Sequence, residues 1–235
     1  MVQLPPHRHS PALQRVLESA ARLQSLIPDA ILVGGTAAAL HAGHRDSMDH
    51  DHVLIDLEDR YGEVLDAVES SDGWATSVRA SRPPMTIMGN LDGISAGLRQ
   101  MRRTRPLEIC EIEVGPNLIV RAPTADESLR VKAYLIVQRN QVRDYLDVVA
   151  LADAIGVEHA ARVLNSIDDY YTDRSSDKDS ILTSLIIHLA NPTPVDAEVT
   201  RNLANYKGLQ SRWHDWNVVV KACQKLSLLM IERTS

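Results

Sequence analysis

The feature that most constrains this chain is a pair of glycines between a short apolar run and a helix-like segment. Residues 30–33 (Ala-Ile-Leu-Val) form a continuous apolar run with the length of a buried strand. Gly34 and Gly35 then predict a tight turn, and Thr36 is expected to cap a helix that runs to about Ala42. Glycine lets the backbone approach a ligand, and a helix start offers unpaired N–H groups. The turn therefore predicts a phosphate-binding site.

Two aspartates follow on the next predicted strand, residues 48–57, in the order Asp49-His50-Asp51. Because alternate residues of a strand face the same side, we expect both carboxylates to point one way and His50 to point the other. Mg²⁺ prefers oxygen ligands and often bridges carboxylates to substrate phosphates. Alone, the acidic pair fits a solvated strand face equally well. Together with the glycine turn, it predicts a site for phosphoryl or nucleotidyl transfer.

The pattern of elements divides the chain into a mixed α/β part and a helical part, with the boundary near residue 122. Thr124 and Glu127 form a capping box that opens the helical part. In the first part, helices are predicted at 11–27, 37–42 and 61–70, and strands at 30–33, 48–57, 76–79, 86–88, 107–114 and 118–121. In the second part, helices are predicted at 125–137, 140–155, 158–168, 178–190, 196–204 and 213–232.

Composition excludes several classes of protein. No stretch reaches the roughly 18 apolar residues of a membrane span, and we expect a cytoplasmic protein with no membrane association. Cys110 and Cys223 lack metal-ligand spacing and are expected to be thiols. The net charge of −6 argues against a general nucleic-acid coat. A basic patch could still dock a specific RNA, or be a solvated loop; it comprises Arg99, Arg102, Arg103 and Arg105, with Arg79 and Arg82 nearby.

Two blocks of this sequence resemble the AbiEii-type nucleotidyltransferase toxins, a branch of the DNA polymerase β-type nucleotidyltransferase superfamily. The first block is Gly34-Gly35-Thr36-Ala37 with the segment Gly43 to Asp51; the second is Lys132-Ala133, Arg139 and Arg143-Asp144-Tyr145-Leu146-Asp147. The resemblance covers residues 31–57 and 123–151. It implies an α+β fold, with a polymerase β-like core and mixed sheet in residues 1–122. It also implies a helical domain in residues 123–235 that contributes to the nucleotide site.

The same resemblance implies a role for each residue that matches the family pattern. Asp49 and Asp51 would bind Mg²⁺. Lys132 would neutralise the triphosphate, and Asp144 or Asp147 would complete the site or orient that lysine. The predicted nucleotide-binding residues are Gly34, Gly35, Thr36, Arg45, Ser47 and Arg139.

Two further groups of residues have no assigned role. Many enzymes of the superfamily carry a third carboxylate on a later strand, and Glu111 and Glu113 are the residues available here. They share a strand face, which a solvated surface would explain equally well. Four histidines also crowd around the acidic pair, namely His41, His44, His50 and His52. Strand geometry does not converge them, which argues against a zinc site.

The function predicted from these residues and the resemblance is Mg²⁺-dependent transfer of a nucleoside monophosphate from an NTP to an RNA acceptor. The family implies a tRNA 3′ end as acceptor, a role as the toxin of a toxin–antitoxin system, and a cognate antitoxin as partner. One alternative is a small-molecule enzyme of the aminoglycoside-modifying type, which shares the glycine turn and the acidic pair. The other is a non-catalytic module that only binds nucleotide.

Overall fold

The structure is a computed structural model that describes residues 9–172 and 180–232. These residues form two units. The first, here called the α/β unit, comprises residues 9–40, 46–102 and 106–124. The second, here called the helical unit, comprises residues 41–45, 103–105, 125–172 and 180–232. The α/β unit ends at Thr124, near the predicted boundary, whereas the helical unit also takes in two short segments from before it.

The α/β unit opens on helix α1, which begins where the Ser10 hydroxyl accepts the backbone N–H of Leu13 and where Pro11 fits the first helical position. Its elements are α1 (Pro11–Leu26), β1 (Ile31–Val33), α2 (Gly34–Ala42), β2 (Asp49–Leu54), α3 (Tyr61–Glu69), β3 (Trp74–Thr76), β4 (Thr86–Leu91), β5 (Ile94–Gln100), β6 (Ile109–Gly115) and β7 (Leu118–Pro123).

A five-stranded sheet with the order β1-β2-β5-β4-β3 is the centre of this unit, and β6 and β7 form a separate two-stranded sheet. Strand β2 pairs in parallel with β5, and the other pairs are antiparallel. The predicted mixed sheet is therefore confirmed. The sequence analysis missed β5, because Gly93 and Gly97 suggested interruptions rather than a strand.

Helix α1 packs against both parts of the core of the α/β unit. Its N-terminal half, with Leu13 and Leu17, packs with Ile112 of β6 and Val120 of β7. Its C-terminal half packs with the five-stranded sheet and α3 through Leu23 and the following Ile27. The core is built from leucine, isoleucine, valine and alanine, as a chain without phenylalanine requires.

Helices alone form the regular structure of the described helical unit. They are α4 (Ala125–Arg139), α5 (Val142–Ile155), α6 (Val157–Asn165), α7 (Ile167–Tyr170), α8 (Ile181–Ala190), two 3-10 helices (Ala197–Asn205 and Ser211–Trp213) and α9 (Trp216–Glu232). Helix α4 packs on α5, and α9 packs on both α6 and α8. Across the described ranges, no helix is long and apolar enough to span a membrane.

Three predicted helices differ from the structure. The helix predicted at 158–168 is divided into α6 and α7 at Ser166. The helix predicted at 196–204 is a 3-10 helix with an interruption at Asn202. The helix predicted at 178–190 is observed from Ile181, and its predicted start at residues 178 and 179 lies outside the described residues.

The inner face of β2 carries two buried histidines. The Nε2 atom of His50 lies 3.0 Å from the Ser19 hydroxyl of α1, and the His50 and His52 rings meet edge to face at 5.2 Å. Burial lowers the pKa of His50 from 6.5 to about 4, although Asp49 opposes the shift. Burial, and then the neighbouring His50, lower the pKa of His52 well below 6.5. Both rings are therefore neutral at pH 7.

The buried histidines predict that the α/β unit loses stability in mild acid. The unfolded chain takes up protons near pH 6.5, whereas folded His50 does so only near pH 4. This stability is fully present above pH 6.5 and is lost as the pH falls towards 4. For His50 alone, the free energy of unfolding should fall by about 2 kcal/mol between about pH 7.5 and about pH 5. Chemical denaturation across this range would measure it.

The matched variant is His50→Gln. Over the same pH range, its free energy of unfolding should fall by about 2 kcal/mol less than that of the wild type. Leu54→Ala on the same strand serves as the control, because it removes a buried side chain without removing a titrating group. It should lower the free energy of unfolding by roughly 2–5 kcal/mol at every pH. An unchanged pH dependence in His50→Gln would show that His50 does not bind protons differently in the folded and unfolded states.

Candidate functional site

Asp49 and Asp51 lie on the outer face of β2, as strand alternation predicts, with the histidines on the inner face. Asp49 is exposed, and the Asp51 side chain is 33% exposed, so both carboxylates reach solvent. The buried Ser47 hydroxyl donates to Asp49 Oδ1 at 3.2 Å. Ser47, predicted to bind nucleotide, is therefore placed directly at the acidic pair, where it orients one carboxylate.

Strand pairing brings the glycine turn beside this acidic face. Val33, the last residue of β1, pairs with Asp51 in the antiparallel ladder, so Gly34 follows immediately next to that carboxylate. Gly34 has a φ of +76°, which favours glycine, and a Cβ built there would lie 3.6 Å from Asp51 Oδ2. The predicted phosphate turn and the predicted metal-binding residues thus share one edge of the sheet.

Thr36 is not the helix cap that the sequence predicted, because α2 already begins at Gly34. Its side chain is buried, and its hydroxyl donates to the Asp49 carbonyl at 2.5 Å. This bond ties the first turn of α2 to the start of β2. Thr36 therefore fixes the distance between the turn and the acidic strand.

The neighbouring strand β5 adds two residues that the sequence analysis did not place at the site. Gly97 pairs with Asp51, and a Cβ built on Gly97 would lie only 2.6 Å from Asp51 Oδ1. Arg99, two residues further along the same face, places its Nε atom 3.2 Å from that oxygen. The signal for Gly97 in the sequence was a glycine inside an apolar alternation, which marks a close approach in a strand.

Glu111 and Glu113 do share an exposed face, as their spacing predicts. However, they lie on β6, which pairs only with β7 in the described chain, whereas β2 pairs with β1 and β5. Strand pairing therefore does not bring either glutamate to the acidic pair. The residues of β5 that share the face of Asp49 and Asp51 are Ser95, Gly97 and Arg99, and none of them is a carboxylate.

In the helical unit, Asp147 of α5 is the centre of a buried charge cluster. Its Oδ1 accepts from His44 Nε2 and Arg45 Nε, each at 2.8 Å, and its Oδ2 lies 2.7 Å from Lys132 Nζ. The Asp147 side chain is fully buried, and those of Arg45 and Lys132 are 4% exposed. Gln210 binds the segment before Arg45, because its backbone N–H donates to the His44 carbonyl at 2.8 Å.

Electrostatics keep this cluster charged despite its burial. Burial alone would raise the pKa of Asp147, but Arg45 and Lys132 hold it well below its ordinary value. Burial lowers the pKa of His44, and the hydrogen bond to Asp147 opposes the shift only in part. Asp147 is therefore an anion that binds two cations and a neutral imidazole.

Asp144 and Arg139 form a second pair in the helical unit. The guanidinium donates to both carboxylate oxygens, with Nε–Oδ2 and Nη2–Oδ1 distances of 2.6 Å, and Asp144 is fully buried. This bidentate geometry fixes the end of α4 against the start of α5. Arg139 and Asp144 therefore bind each other in this structure, and their predicted roles towards nucleotide stay predictions.

Two arginines of the predicted basic patch, Arg103 and Arg105, make contacts within the helical unit. Arg103 is buried, with Nη2 2.5 Å from Glu127, and Arg105 lies over the Tyr170 ring at 3.8 Å. Both belong to the helical unit, whereas Arg99 and Arg102 belong to the α/β unit. His41 is one of the four histidines near the acidic pair in the sequence. It is buried in the last turn of α2.

The buried cluster predicts that Asp147→Asn destabilises the helical unit. The substitution leaves Arg45 and Lys132 buried without their counter-charge, which costs about 3–5 kcal/mol in comparable sites. Urea denaturation followed by circular dichroism would measure the change. Asp153→Asn on the same helix is the control, since its partner Arg212 and Asp153 itself are about half exposed. It should cost less than about 1 kcal/mol. Equal midpoints for the two variants would contradict this account of the cluster.

The relatives found by sequence are much longer than this chain. No family model matches the chain. It is 29% identical over 244 residues to the heme uptake protein MmpL11 of Mycobacterium tuberculosis strain H37Rv, covering 94% of this chain and 23% of that protein. It is 31% identical over 132 residues to the mycolic acid-containing lipids exporter MmpL11 of Mycolicibacterium smegmatis, covering 56% of this chain and 13% of that one. The chain thus spans less than a quarter of these relatives.

Solved structures match over nearly the whole chain. MenT4, a nucleotidyltransferase toxin from Mycobacterium tuberculosis H37Rv, aligns with a TM-score of 0.58 at 15% identity, covering 94% of this chain and 83% of that one. A Helicobacter pylori protein assigned as a nucleotidyltransferase aligns with a TM-score of 0.52 at 17% identity, covering 94% and 95%. At such identities the likeness concerns the fold. The chain shares the α+β fold of these two proteins, and the α+β fold class predicted from the sequence is therefore confirmed.

Proposed function

We propose that this chain is a Mg²⁺-dependent nucleotidyltransferase that moves a nucleoside monophosphate from an NTP to an RNA acceptor and releases pyrophosphate. The observation that carries the proposal is the meeting of Gly34, Asp49 and Asp51 at one edge of the sheet. A glycine turn at a helix start beside two carboxylates on one strand face suits the binding of phosphate and a divalent cation, as nucleotidyl transfer requires. The fold shared with MenT4 supports the same class of reaction.

The residues at this edge fit a divalent cation. Asp49 and Asp51 offer hard oxygen ligands on one face, and both reach solvent. The missing side chain of Gly97 leaves the space that the Asp51 carboxylate occupies. That carboxylate already attracts a cation, since Arg99 lies against its Oδ1. When bound, Mg²⁺ would neutralise the charge that develops on the phosphates during transfer.

The chain itself would bind and orient the triphosphate. The first backbone N–H groups of α2 have no partner within the helix, and the helix dipole favours an anion there. Gly34 and Gly35 carry no side chain that would keep a phosphate away from this backbone. Thr36 and Ser47 hold the acidic strand in position through Asp49. These contacts organise the edge before substrate arrives, which is the main source of rate in such reactions.

In the helical unit, we propose that Asp147 orients Lys132. Of the two roles open to this carboxylate, orientation agrees with its contacts, because its oxygens already bind Lys132, Arg45 and His44. Lys132 as the ligand of the triphosphate stays a proposal that rests on the family resemblance. Because Asp147 pairs with both Arg45 and Lys132, it also offsets the free-energy cost of burying these two charged side chains.

The biological role that we propose is that of a toxin countered by an antitoxin protein, with a tRNA 3′ end as acceptor. The support is the family resemblance of Gly34–Asp51 and Lys132–Asp147, together with the fold shared with a nucleotidyltransferase toxin. The labelling experiment that follows identifies the acceptor.

The test incubates the protein with Mg²⁺, each α-³²P-labelled NTP in turn, and total bacterial tRNA. The wild type should label RNA, and the double variant Asp49→Asn/Asp51→Asn should lose several kcal/mol of transition-state stabilisation, about a thousandfold in rate. The control is Glu58→Gln/Asp59→Asn, which removes two neighbouring exposed carboxylates from the same unit and should label RNA normally.

Other outcomes identify the alternatives. In a parallel incubation with an aminoglycoside in place of tRNA, label in the aminoglycoside and none in RNA would replace the RNA acceptor by a small hydroxylated molecule. Intact NTP binding by calorimetry, with no nucleotide transferred to any acceptor and no pyrophosphate released, would indicate a nucleotide-binding module. Label in RNA from both the wild type and the Asp49→Asn/Asp51→Asn variant would contradict the assignment of the active site.

The close approach of β5 to Asp51 predicts that Gly97→Ala weakens metal binding at the acidic pair. The added Cβ would lie 2.6 Å from Asp51 Oδ1, so the carboxylate must rotate away. Affinity for Mn²⁺, measured by electron paramagnetic resonance, should fall about 10-fold to 100-fold. Gly62→Ala on α3 is the control, because a Cβ there has no atom within 4 Å. Equal Mn²⁺ affinity in both variants would show that the position of Asp51 does not depend on Gly97.

A further inference from the structure

We propose that Arg99 is a gate residue of the acidic pair: it holds Asp51 while the site has no metal, and it binds a phosphate of the NTP once a divalent cation takes Asp51. This inference rests on the proposed function and adds a residue to its site. Sequence analysis placed Arg99 only in a basic patch for RNA. The structure places its Nε atom 3.2 Å from Asp51 Oδ1.

Strand register determines this contact. In the parallel β2–β5 ladder, Gly97 pairs with Asp51 and Arg99 pairs with Val53, so Arg99 and Asp51 project from the same face. Gly97 has no side chain between them. The guanidinium can therefore lean back over Gly97 to reach the carboxylate, which a larger residue at 97 would obstruct.

The contact is polar and accessible. The Arg99 side chain is 45% exposed and the Asp51 side chain is 33% exposed, so neither group is locked in the core. Only one edge of the guanidinium faces Asp51 through Nε. Its remaining N–H groups provide donors in the planar arrangement that matches phosphate oxygens. An arginine in this setting can exchange one anion for another by a rotation of its side chain.

Charge gives the exchange its direction. Before metal binds, the face carries two carboxylates and one guanidinium. A divalent cation bound at Asp49 and Asp51 would compete for Asp51 Oδ1 and would repel Arg99 from it. A triphosphate bound at the same edge, beside Gly34, would bring several negative oxygens there. These oxygens would offer the released guanidinium an alternative anion.

The gate predicts opposite effects of one substitution on two ligands. Without nucleotide, Arg99→Gln should bind Mn²⁺ about threefold to tenfold more tightly than the wild type, because a competing cation has been removed. With Mn²⁺ present, Arg99→Gln should bind an α,β-methylene NTP analogue about tenfold more weakly, because one charge-assisted hydrogen bond is lost. A residue with a merely structural role would move both affinities in the same direction or neither.

Electron paramagnetic resonance with Mn²⁺ alone measures the first effect, and calorimetry with the α,β-methylene analogues of the four NTPs measures the second. Arg79→Gln is the matched control, since it removes the same charge from an exposed position of the same unit. It should leave both affinities unchanged. Arg99→Lys keeps the charge without the planar donors, and should restore wild-type Mn²⁺ affinity but only part of the affinity for the analogue.

Weaker or unchanged Mn²⁺ binding in Arg99→Gln would overturn the gate. A wild type that binds Mn²⁺ but no NTP analogue would overturn the proposed function and, with it, the phosphate-binding half of this inference. In that case tighter Mn²⁺ binding by Arg99→Gln would still support the half in which Arg99 competes with the cation for Asp51. The two failures are thus distinguishable in the same set of measurements.

Discussion

The register of β2 between β1 and β5 is the constraint on which the rest of the candidate site depends. Asp51 pairs with Val33 on one side and with Gly97 on the other. A shift of one residue would turn Asp49 and Asp51 into the core and His50 and His52 towards solvent. The shift would bury two carboxylates where the structure now buries two neutral rings. That cost helps to specify the observed register, so the histidines select the face on which the aspartates appear.

Local sequence was enough to predict the parts of the site that lie within one strand or one turn. The alternation of Asp49-His50-Asp51 determines their faces whatever the partners of β2 are. Gly34 and Gly35 likewise mark a turn because their backbone freedom is a local property. The helical second part also followed from the order and lengths of the elements, whereas the mixed sheet was implied by the family resemblance. These inferences needed no knowledge of which strands pair.

What the sequence could not supply depends on pairing across long separations. Gly97 and Arg99 reach Asp51 only because β5 pairs in parallel with β2, and nothing in residues 94–100 alone specifies that partner. The third carboxylate was sought on β6 for the same reason, since sequence order does not give strand order. In the helical unit, His44 and Asp147 meet across 103 positions. Thr36 was assigned as a cap, whereas its hydroxyl binds a backbone carbonyl on another strand.

The two sets of relatives describe different things about this chain. The solved structures share its fold at 15–17% identity, and folds of this kind carry many chemistries. The sequence relatives are much longer proteins named for heme uptake and lipid export, and this chain corresponds to less than a quarter of each. Function must therefore be argued from the groups at the edge of the sheet. Those groups are two carboxylates, a glycine turn and an arginine.

The paired rings behind the acidic face have a consequence for observing the site. His50 and His52 lie on the strand that carries the carboxylates, yet they are shielded from solvent and meet at 5.2 Å. Their ring carbon protons should give nuclear magnetic resonance signals distinct from those of exposed histidines, with little change across neutral pH. Any cation or nucleotide that settles on the opposite face would alter the electric field at these rings without touching them. The molecule thus contains its own spectroscopic reporters of what occupies its outer surface.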